Sequence, residues 1–223
     1  MLNIPTDRSM FSDGYAPHKY MKEFVDNDVF TELQTSWPDA SLFKDDGNVK
    51  PRKHGQRPHL RKLMCYAVTP QSSYFDPYMV ELSSLPTIWR DFAFHVMHSK
   101  EYREFIGDCF QIKNFNMRFD WHLTGSGKDV SPHVDSLGKE GSHLMYFMPD
   151  GWTDDMGGQT VFYKYKLIAA NNPEADDFKD KVMYKNTGNT SLLFKNQEGG
   201  WHGVTEVNST LDRQIFNVVI LKA

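Results

Sequence analysis

The chain has 223 residues, of which 39% are hydrophobic and 24% charged, and its formal net charge at pH 7 is −4. This hydrophobic content is enough for one sizeable core, and no apolar run approaches the roughly 20 residues that a membrane helix needs. The slight acidity disfavours a general nucleic-acid-binding protein. We therefore expect a single domain spanning residues 1–223.

The N-terminus and the cysteines indicate a cytoplasmic location. The first residues lack a basic stretch followed by an apolar stretch, so we expect no secretory signal. Cys65 and Cys109 are the only cysteines, and their spacing fits neither a metal site nor a secreted disulfide framework. We expect two reduced thiols in or near the core.

Residues 1–110 are predicted to support the rest of the domain with helices, loops and N-terminal strands. Apolar side chains at near-helical spacing predict a helix over residues 18–37. A strand at the edge of a sheet is expected over residues 64–68. Two more helices are predicted within residues 85–110, where Ser99 is placed to cap the second one.

Residues 111–223 are predicted to form a core of strands that carries the functional residues. Residues 115–122 alternate apolar and polar side chains, a period typical of a half-buried strand. A turn-rich stretch follows, and then a His-x-Asp triplet. Later strand-like runs cover residues 142–149, 159–165, 190–194 and 213–221.

Two charged segments are expected at the surface. Residues 50–62 contain six Lys or Arg and two His in a loop with Pro and Gly. Such a loop is either simply solvated or able to guide an anionic substrate, and the sequence leaves both readings open. Residues 171–181 are acidic and contain Pro, which indicates a surface insertion that borders the entrance to a site.

Four residues form the most informative pattern in the chain. His133 and Asp135 make a His-x-Asp triplet. His202 is a distant second histidine, and Arg213 follows it eleven positions later. Two imidazoles and one carboxylate can occupy one face of an octahedral Fe(II), which leaves positions for a bidentate cosubstrate and O2. An Arg beside that face can bind a far carboxylate of the cosubstrate.

The order of these residues along the chain carries more weight than the triplet. A His-x-Asp triplet alone is expected about once by chance in a chain of this composition. Here the triplet follows a predicted strand and a loop, while the distal His and the Arg lie on two strand-like segments joined by a short turn. The pattern therefore predicts redox chemistry at iron.

Residues 115–223 resemble the non-haem Fe(II)- and 2-oxoglutarate-dependent dioxygenases, in particular their prolyl-hydroxylase-like branch. Besides the four residues, the resemblance rests on Met145-Tyr-Phe-Met-Pro149, Trp152 and Gly157-Gly-Gln-Thr-Val161. The N-terminal part is similar to small bacterial and phage members, in which a helix ending in Trp-Pro precedes a basic loop and a helical pair. The resemblance implies a mainly β fold with flanking helices, a double-stranded β-helix or jelly-roll barrel.

The resemblance also implies a role for each of the four residues. His133, Asp135 and His202 would bind Fe(II), which 2-oxoglutarate would chelate through its 1-carboxylate and keto oxygen. Arg213 would pair with the 5-carboxylate. O2 would be the second cosubstrate, and the expected outcome is hydroxylation with release of succinate and CO2. Related halogenases lack the carboxylate ligand, so the presence of Asp135 argues against halogenation.

Other residues are expected near the cosubstrate. Strand parity places Asn217 on the face of Arg213, so Asn217 is expected to add a hydrogen bond to the 5-carboxylate. Many relatives have a Tyr on the strand after the triplet, and the equivalent position here is Phe147, with Tyr146 expected on the opposite face. His143 shares the face of Phe147. It is either a substitute donor to the cosubstrate or a buried histidine of the barrel wall.

The substrate is expected to be a small molecule or a peptidyl group, with anionic compounds included. Arg118 and Asp120 lie with His122 on the polar face of the first core strand, which either lines the barrel and contacts substrate or faces solvent. Three other classes stay open. A cupin-like metal-binding protein or isomerase would not need Arg213, a structural jelly roll would bind no metal, and a nucleic-acid repair dioxygenase should be more basic.

Overall fold

The structure, a computed structural model, describes residues 1–45, 61–66, 79–169 and 172–223. At positions 45, 61–62 and 64–66 it describes only the backbone. The basic segment expected at residues 50–62 therefore lies outside the described residues, apart from the backbone of its last two, and its role stays a prediction. No helix within the described ranges is long and apolar enough to cross a membrane.

The described ranges contain three α-helices and eleven β-strands. The helices are α1 (Asn27–Thr35), α2 (Thr87–His98) and α3 (Lys100–Phe110). The strands are β1 (His18–Lys22), β2 (Lys44–Asp45), β3 (Arg61–Tyr66), β4 (Phe115–Thr124), β5 (Val130–His133), β6 (Lys139–Tyr146), β7 (Thr160–Lys166), β8 (Phe178–Met183), β9 (Thr190–Lys195), β10 (His202–Val204) and β11 (Arg213–Lys222).

The strands form two antiparallel sheets. The larger sheet has the order β1-β9-β6-β11-β4-β3-β2, and the smaller one has the order β5-β10-β7-β8. β11 is central to the larger sheet, where it pairs with β4 over its whole length and with β6 on its other side. This architecture matches the predicted mainly β class with flanking helices.

The two faces of the larger sheet are buried in different ways. Trp121 and Phe216 point to the side covered by the helices, where both pack against Trp89 of α2. Alternate residues point to the other side, where Ile215 joins a cluster with Phe162 of the smaller sheet. Since strand side chains alternate between faces, one strand serves both cores. The space between the two sheets is called the inner side below.

The predicted helix over residues 18–37 is wrong in its first part. The structure has β1 at His18–Lys22, paired antiparallel with β9, and the helix begins only at Asn27. Asp26 caps that helix, because its carboxylate accepts hydrogen bonds from two backbone N–H groups of the first turn. Pairing with a distant strand outweighs local helical spacing here, and a single sequence does not reveal that partner.

The other predicted elements are confirmed with adjusted boundaries. The helical pair is present, and the Ser99 hydroxyl accepts a hydrogen bond from the first turn of α3. The strand expected over residues 64–68 is β3, which lies between β2 and β4 and is not at the sheet edge. The acidic segment 171–181 contains the start of β8, which forms the edge of the smaller sheet beyond β7. Cys109 is a free, buried thiol as expected.

Candidate metal and cosubstrate site

The three predicted ligands come together at two neighbouring strands of the smaller sheet and the loop that follows β5. His133 ends β5 and His202 begins β10, and the two are directly opposite in the antiparallel pairing. Their ring centroids are 4.3 Å apart, and Nε2 of His202 lies 3.8 Å from Oδ2 of Asp135. One ligand atom from each residue lies within 4.8 Å of the other two. Three donors at this spacing can bind one divalent ion.

A backbone carbonyl orients each histidine. Nδ1 of His133 is 3.0 Å from the carbonyl oxygen of Ser131, and Nδ1 of His202 is 3.0 Å from that of Gly200. Because a carbonyl oxygen only accepts, Nδ1 carries the proton in each ring and donates it. The lone pair of each neutral ring is therefore on Nε2, the arrangement typical of metal-binding histidines.

Burial and nearby charges set the protonation states of the three residues. Burial lowers the pKa of His133 to about 3, with a further contribution from the His202 ring, and burial also lowers the pKa of His202. Burial alone would raise the pKa of Asp135, but the Lys139 ammonium and the two imidazoles hold it well below its ordinary value. At neutral pH the group offers two neutral imidazoles and one carboxylate, a donor set suited to Fe(II).

One buried oxygen of this group has no hydrogen-bond partner in the described part of the chain. Oδ1 of Asp135 accepts a hydrogen bond from Nζ of Lys139 at 2.7 Å, whereas Oδ2 is buried and receives none. Burying a carboxylate oxygen without a donor or a cation is costly. The three residues therefore fit a divalent metal ion, which would satisfy Oδ2.

Arg213 is a buried cation on the inner side. Only 2% of it is exposed. Its Nε donates to the carbonyl oxygen of Gly158 at 2.6 Å, and its Nη2 donates to Oγ1 of Thr160 at 3.4 Å. Burial lowers its pKa to about 10, so it stays charged at neutral pH. Among the described residues no carboxylate forms an ion pair with it. A buried cation without a counterion indicates that an anionic ligand binds there.

The Gly-Gly-x-Thr segment makes room for this arginine. Gly158 has a φ of +69°, and a Cβ atom at that position would lie 2.8 Å from Cδ of Arg213 and 3.4 Å from the Trp152 ring. A side chain would therefore displace the guanidinium as well as strain the backbone. Thr160, two residues later, provides the hydroxyl that accepts from Arg213. The segment and Trp152 thus form one wall of the arginine pocket.

Solved structures with a similar fold include several oxygenases. A prolyl-4-hydroxylase from Pseudomonas putida has a TM-score of 0.57 at 12% identity, covering 95% of each chain. A prolyl hydroxylase from Trichoplax adhaerens, solved with a hypoxia-inducible factor peptide fragment, gives 0.55 at 14% identity over 92% of this chain and 83% of its own. A 2OG-Fe(II) oxygenase-family oxidoreductase from Burkholderia pseudomallei gives 0.55 at 14% identity over 92% and 84%. The chain has the double-stranded β-helix fold.

Sequence comparison adds nothing to this likeness. No family model matches the sequence, and no curated protein matches it. The predicted double-stranded β-helix is confirmed by the solved structures and by the two antiparallel sheets. At such low identity the activity has to be argued from the residues of the site.

Tyr146, and not Phe147, lies on the inner side of the double-stranded β-helix. The Tyr146 hydroxyl donates to Oγ1 of Thr160 at 2.9 Å, and the Tyr146 ring centroid is 5.9 Å from Cζ of Arg213. Phe147 stacks on Phe30 among the helices. The sequence prediction that assigned the cosubstrate-facing position to Phe147 is therefore wrong by one residue. The pairing of Tyr146 with Ile215 of β11 determines which face of β6 points inward. The local sequence pattern did not reveal it.

His143 lies on the helix side of the double-stranded β-helix, away from Arg213. It is fully buried, its Nδ1 is 3.0 Å from the Tyr102 hydroxyl, and the Phe24 ring packs edge-on against it at 4.7 Å. Burial lowers its pKa to about 3. The expectation that His143 donates to a cosubstrate is contradicted by this position. The alternative expectation, a buried histidine of the barrel wall, agrees with the structure.

Asn217 is on the inner side, on the same face of β11 as Arg213. It is 5% exposed, and its Oδ1 has no hydrogen-bond partner within the described ranges. Thr124, which pairs with Arg213, also has a buried hydroxyl without a described partner. Unsatisfied polar atoms on the face of a buried cation are consistent with a polar ligand. A hydrogen bond from Asn217 to that ligand stays a prediction.

Arg118 and Asp120 form a buried ion pair that also faces inward. Nε and Nη2 of Arg118 are 2.9 and 2.7 Å from the two carboxylate oxygens of Asp120, and His122 lies beside them. Asp120 is 1% exposed and pairs with Asn217 across the sheet. The inward reading of this polar face is therefore correct. Burial alone would raise the pKa of Asp120, but Arg118 and His122 hold it well below its ordinary value.

A cleft of about 960 Å³ opens beside Asp135. Its walls come from the β5–β6 loop, the end of β7, the β9–β10 loop and the end of β11. Leu137, Lys139, Lys166 and Trp201 are among its lining residues. The volume is within the range of ligand-binding pockets, roughly 300–1,000 Å³. Sequence reasoning missed Lys139 and Trp201, although Lys139 lies only four residues after Asp135.

Proposed function

We propose that the chain is an Fe(II)- and 2-oxoglutarate-dependent oxygenase that hydroxylates a C–H bond of a small-molecule or peptidyl substrate. The observation that carries the proposal is a group of three candidate metal ligands in the same barrel as a buried arginine that has no carboxylate partner among the described residues. Metal binding alone explains the ligands but leaves Arg213 unexplained. A dianionic cosubstrate that reaches from the metal to Arg213 explains both.

The register of the smaller sheet supports this span. Thr160, which accepts a hydrogen bond from Arg213, is two residues from Phe162 on β7, and Phe162 pairs with His202. Two strand residues extend over roughly 7 Å. That separation suits a five-carbon dicarboxylate with one end at the metal and the other at the guanidinium.

The residues of the site have separate tasks in this reaction. Iron, when bound by His133, Asp135 and His202, supplies the oxidative decarboxylation of 2-oxoglutarate by O2 to succinate and CO2, with transfer of oxygen to the substrate. Arg213 would bind the 5-carboxylate through a charge-assisted hydrogen bond. Thr160 already accepts from Arg213 and Tyr146, so its own O–H is available to donate to that carboxylate.

Tyr146 is an uncharged hydrogen-bonding group of the cosubstrate pocket. Burial raises the pKa of Tyr146 to about 12, so its phenol stays protonated and acts as a hydrogen-bond donor. Asn217, further along the same strand as Arg213, would donate a hydrogen bond from its amide N–H2 group to the 5-carboxylate of the cosubstrate. A dry pocket strengthens each of these interactions.

The substrate would enter through the cleft beside Asp135. We propose that Arg118 and Asp120, which face the inner side, contact it. The Trichoplax neighbour was solved with a peptide, so this fold accommodates a peptidyl partner in that protein. The cleft itself does not select for substrate charge, because three lysines and three acidic residues line it. Anionic small molecules remain one class of candidate substrate.

We also infer that residues 1–223 form one dioxygenase domain. Strands β1 and β3 from the N-terminal part belong to the same sheet as β4, β6 and β11. One hydrophobic cluster also contains side chains from both residues 1–110 and residues 111–223. The compartment that we propose is the cytoplasm, where a reducing environment keeps iron ferrous and Cys109 reduced.

A cupin-like metal-binding protein or isomerase is the alternative. It would use the same three ligands without 2-oxoglutarate, and then Arg213 would be buried at a cost without a function. A purely structural barrel would likewise leave Oδ2 of Asp135 without a partner. A repair enzyme acting on nucleic acid is disfavoured by the net charge of −4.

Anaerobic titration of the metal-free protein with Fe(II) and then 2-oxoglutarate tests the proposal. A chelate of 2-oxoglutarate on Fe(II) has a visible charge-transfer band, which we expect only after both additions. The band should be absent in His133→Ala and His202→Ala but present in His98→Ala, an exposed histidine of α2. Metal binding without a band would favour the cupin-like alternative, and no metal binding would favour the structural one.

A further inference from the structure

Lys139 forms an ion pair with one oxygen of the aspartate ligand. Its Nζ is 2.7 Å from Oδ1 of Asp135, and the two side chains are 24% and 8% exposed. The other oxygen, Oδ2, lies 3.8 Å from Nε2 of His202 and has no described hydrogen-bond partner. The two oxygens thus have different surroundings. One faces an ammonium group, and the other faces the space between the ligands.

A β-bulge gives Lys139 this direction. Along β6, His143 faces the helices, and regular alternation would send Lys139 to the same side. The pairing of β6 with β11 shifts between Ile220 and Leu221, so that Lys139 and not Glu140 is opposite Leu221. Leu221 has the parity of the inner side on β11. Bulges re-aim single side chains and are frequent beside active sites.

We propose that Lys139 is a positioning residue that keeps Asp135 a one-oxygen ligand of the metal ion, an inference that rests on the proposed function. An aspartate can bind a metal through one oxygen or through both. Binding through both would use a coordination position that a bidentate cosubstrate and O2 need on an octahedral ion. By holding Oδ1, the ammonium leaves only Oδ2 for the metal.

Charge makes a second contribution in the same direction. The ammonium offsets the charge of Asp135, so the bound dication keeps more positive potential for an anionic cosubstrate. The same ammonium makes the Asp135 carboxylate a weaker metal ligand and repels the metal dication. Loss of the ammonium should therefore change two affinities in opposite directions. The metal should bind at least as tightly, while 2-oxoglutarate should bind more weakly to the metal-loaded protein.

Co(II) titration of the metal-free, full-length protein tests this inference without relying on turnover. Variants are Lys139→Met, Lys139→Gln as a second uncharged side chain, and the conservative Lys139→Arg. Lys179→Met is the control, because Lys179 is an exposed lysine of β8 that does not line the cleft. The readouts are Co(II) affinity, 2-oxoglutarate affinity of the Co(II) protein, and the visible Co(II) absorption, whose intensity depends on coordination number.

Lys139→Met and Lys139→Gln should lose 2-oxoglutarate affinity by roughly tenfold or more, because each removes a unit positive charge from a partly buried anion site. Their Co(II) affinity should be unchanged or higher, and their Co(II) absorption should differ from that of the wild type. Lys139→Arg and Lys179→Met should match the wild type. Unchanged 2-oxoglutarate affinity in both uncharged variants overturns the inference. Parallel loss of Co(II) and 2-oxoglutarate binding also overturns it, since that indicates a structural role.

Failure of the proposed function gives a different result. A wild-type protein that binds Co(II) but not 2-oxoglutarate contradicts the oxygenase proposal, and the inference fails with it. If the wild type binds Co(II) and 2-oxoglutarate, and the uncharged variants bind them equally well, only the role of Lys139 is contradicted. Circular dichroism of each variant verifies that the fold is retained.

Discussion

His133 and His202 face each other across the β5–β10 pairing, with ring centroids 4.3 Å apart. Both side chains belong to strands and have their Nδ1 atoms bonded to backbone carbonyl oxygens. Sites built on paired strands are held more rigidly than sites on loops. Strand pairing and the two backbone carbonyls therefore fix the direction of both imidazoles.

Replacement of Arg213 should separate cosubstrate binding from metal binding. Arg213→Met is expected to weaken 2-oxoglutarate binding by about 2–5 kcal/mol, the usual cost of losing one partner of a buried charge pair. Co(II) affinity should stay unchanged because Arg213 is not a ligand. Titration calorimetry on the Co(II) protein measures both, with Arg90→Met, an exposed arginine of α2, as the control. Equal 2-oxoglutarate affinity in the two variants would remove the basis for the cosubstrate pocket.

The same substitution should not destabilise the ligand-free protein. Without an anion, Arg213 is a buried cation with no described ion-pair partner, and Met is a similar-sized apolar side chain. We expect the free energy of unfolding in urea to be unchanged or higher for Arg213→Met. A large loss of stability would mean that the hydrogen bonds of Arg213 to Gly158 and Thr160 outweigh the cost of burying its charge.

Tyr146→Phe tests which face of β6 lines the cosubstrate pocket. Loss of the hydroxyl should weaken 2-oxoglutarate binding by about 0.5–1.5 kcal/mol, since one neutral hydrogen-bonding group is removed. Tyr184→Phe is the control, because the Tyr184 hydroxyl is hydrogen-bonded to Nε2 of His18 at 2.7 Å and not to Thr160. Binding to the metal-loaded protein, followed by the charge-transfer band, is the measurement. No change for Tyr146→Phe would show that its hydroxyl does not contribute to the pocket.

Arg118 and Asp120 should depend on each other for stability. Arg118→Met leaves the carboxylate of Asp120 buried with its main charge partner removed, so we expect the free energy of unfolding to fall by about 3–5 kcal/mol. Adding Asp120→Leu to Arg118→Met should recover most of that loss, because no charge remains buried. Urea denaturation of the single and double variants gives the coupling energy. If the two substitutions change the free energy of unfolding additively, the two charges do not stabilise each other.

His143 should make the protein sensitive to mild acid. Burial lowers its pKa from 6.5 to about 3, so between these values the unfolded chain binds a proton that the folded protein does not. Stability therefore falls as pH falls through this window, by about 1.4 kcal/mol per pH unit for one such histidine. His143→Gln, which can keep a hydrogen bond to Tyr102, should reduce that slope by one proton in denaturation of the metal-free protein between pH 6 and pH 4. An unchanged slope would show that His143 is protonated in the folded state.

The sequence alone identified the candidate metal ligands and the arginine. His133, Asp135, His202 and Arg213 were identified from residue type and order, because a metal and a dianion restrict the chemistry of their partners to few side chains. The strand before the triplet was predicted from its period-two pattern, which the burial of one face imposes directly on the sequence. Strand β5, which carries His133, was not predicted. The double-stranded β-helix followed from the resemblance that these features support.

The tertiary structure decided everything that depends on which face of a strand points inward. Tyr146 and His143 were assigned to the wrong sides because a one-residue shift in register moves every side chain of a strand to the other face, and both faces of β6 are buried. The bulge that turns Lys139 toward Asp135 and the pairing that makes residues 18–22 a strand also depend on partners far along the chain. Packing of the whole sheet determines these pairing partners, and a local sequence pattern does not reveal them.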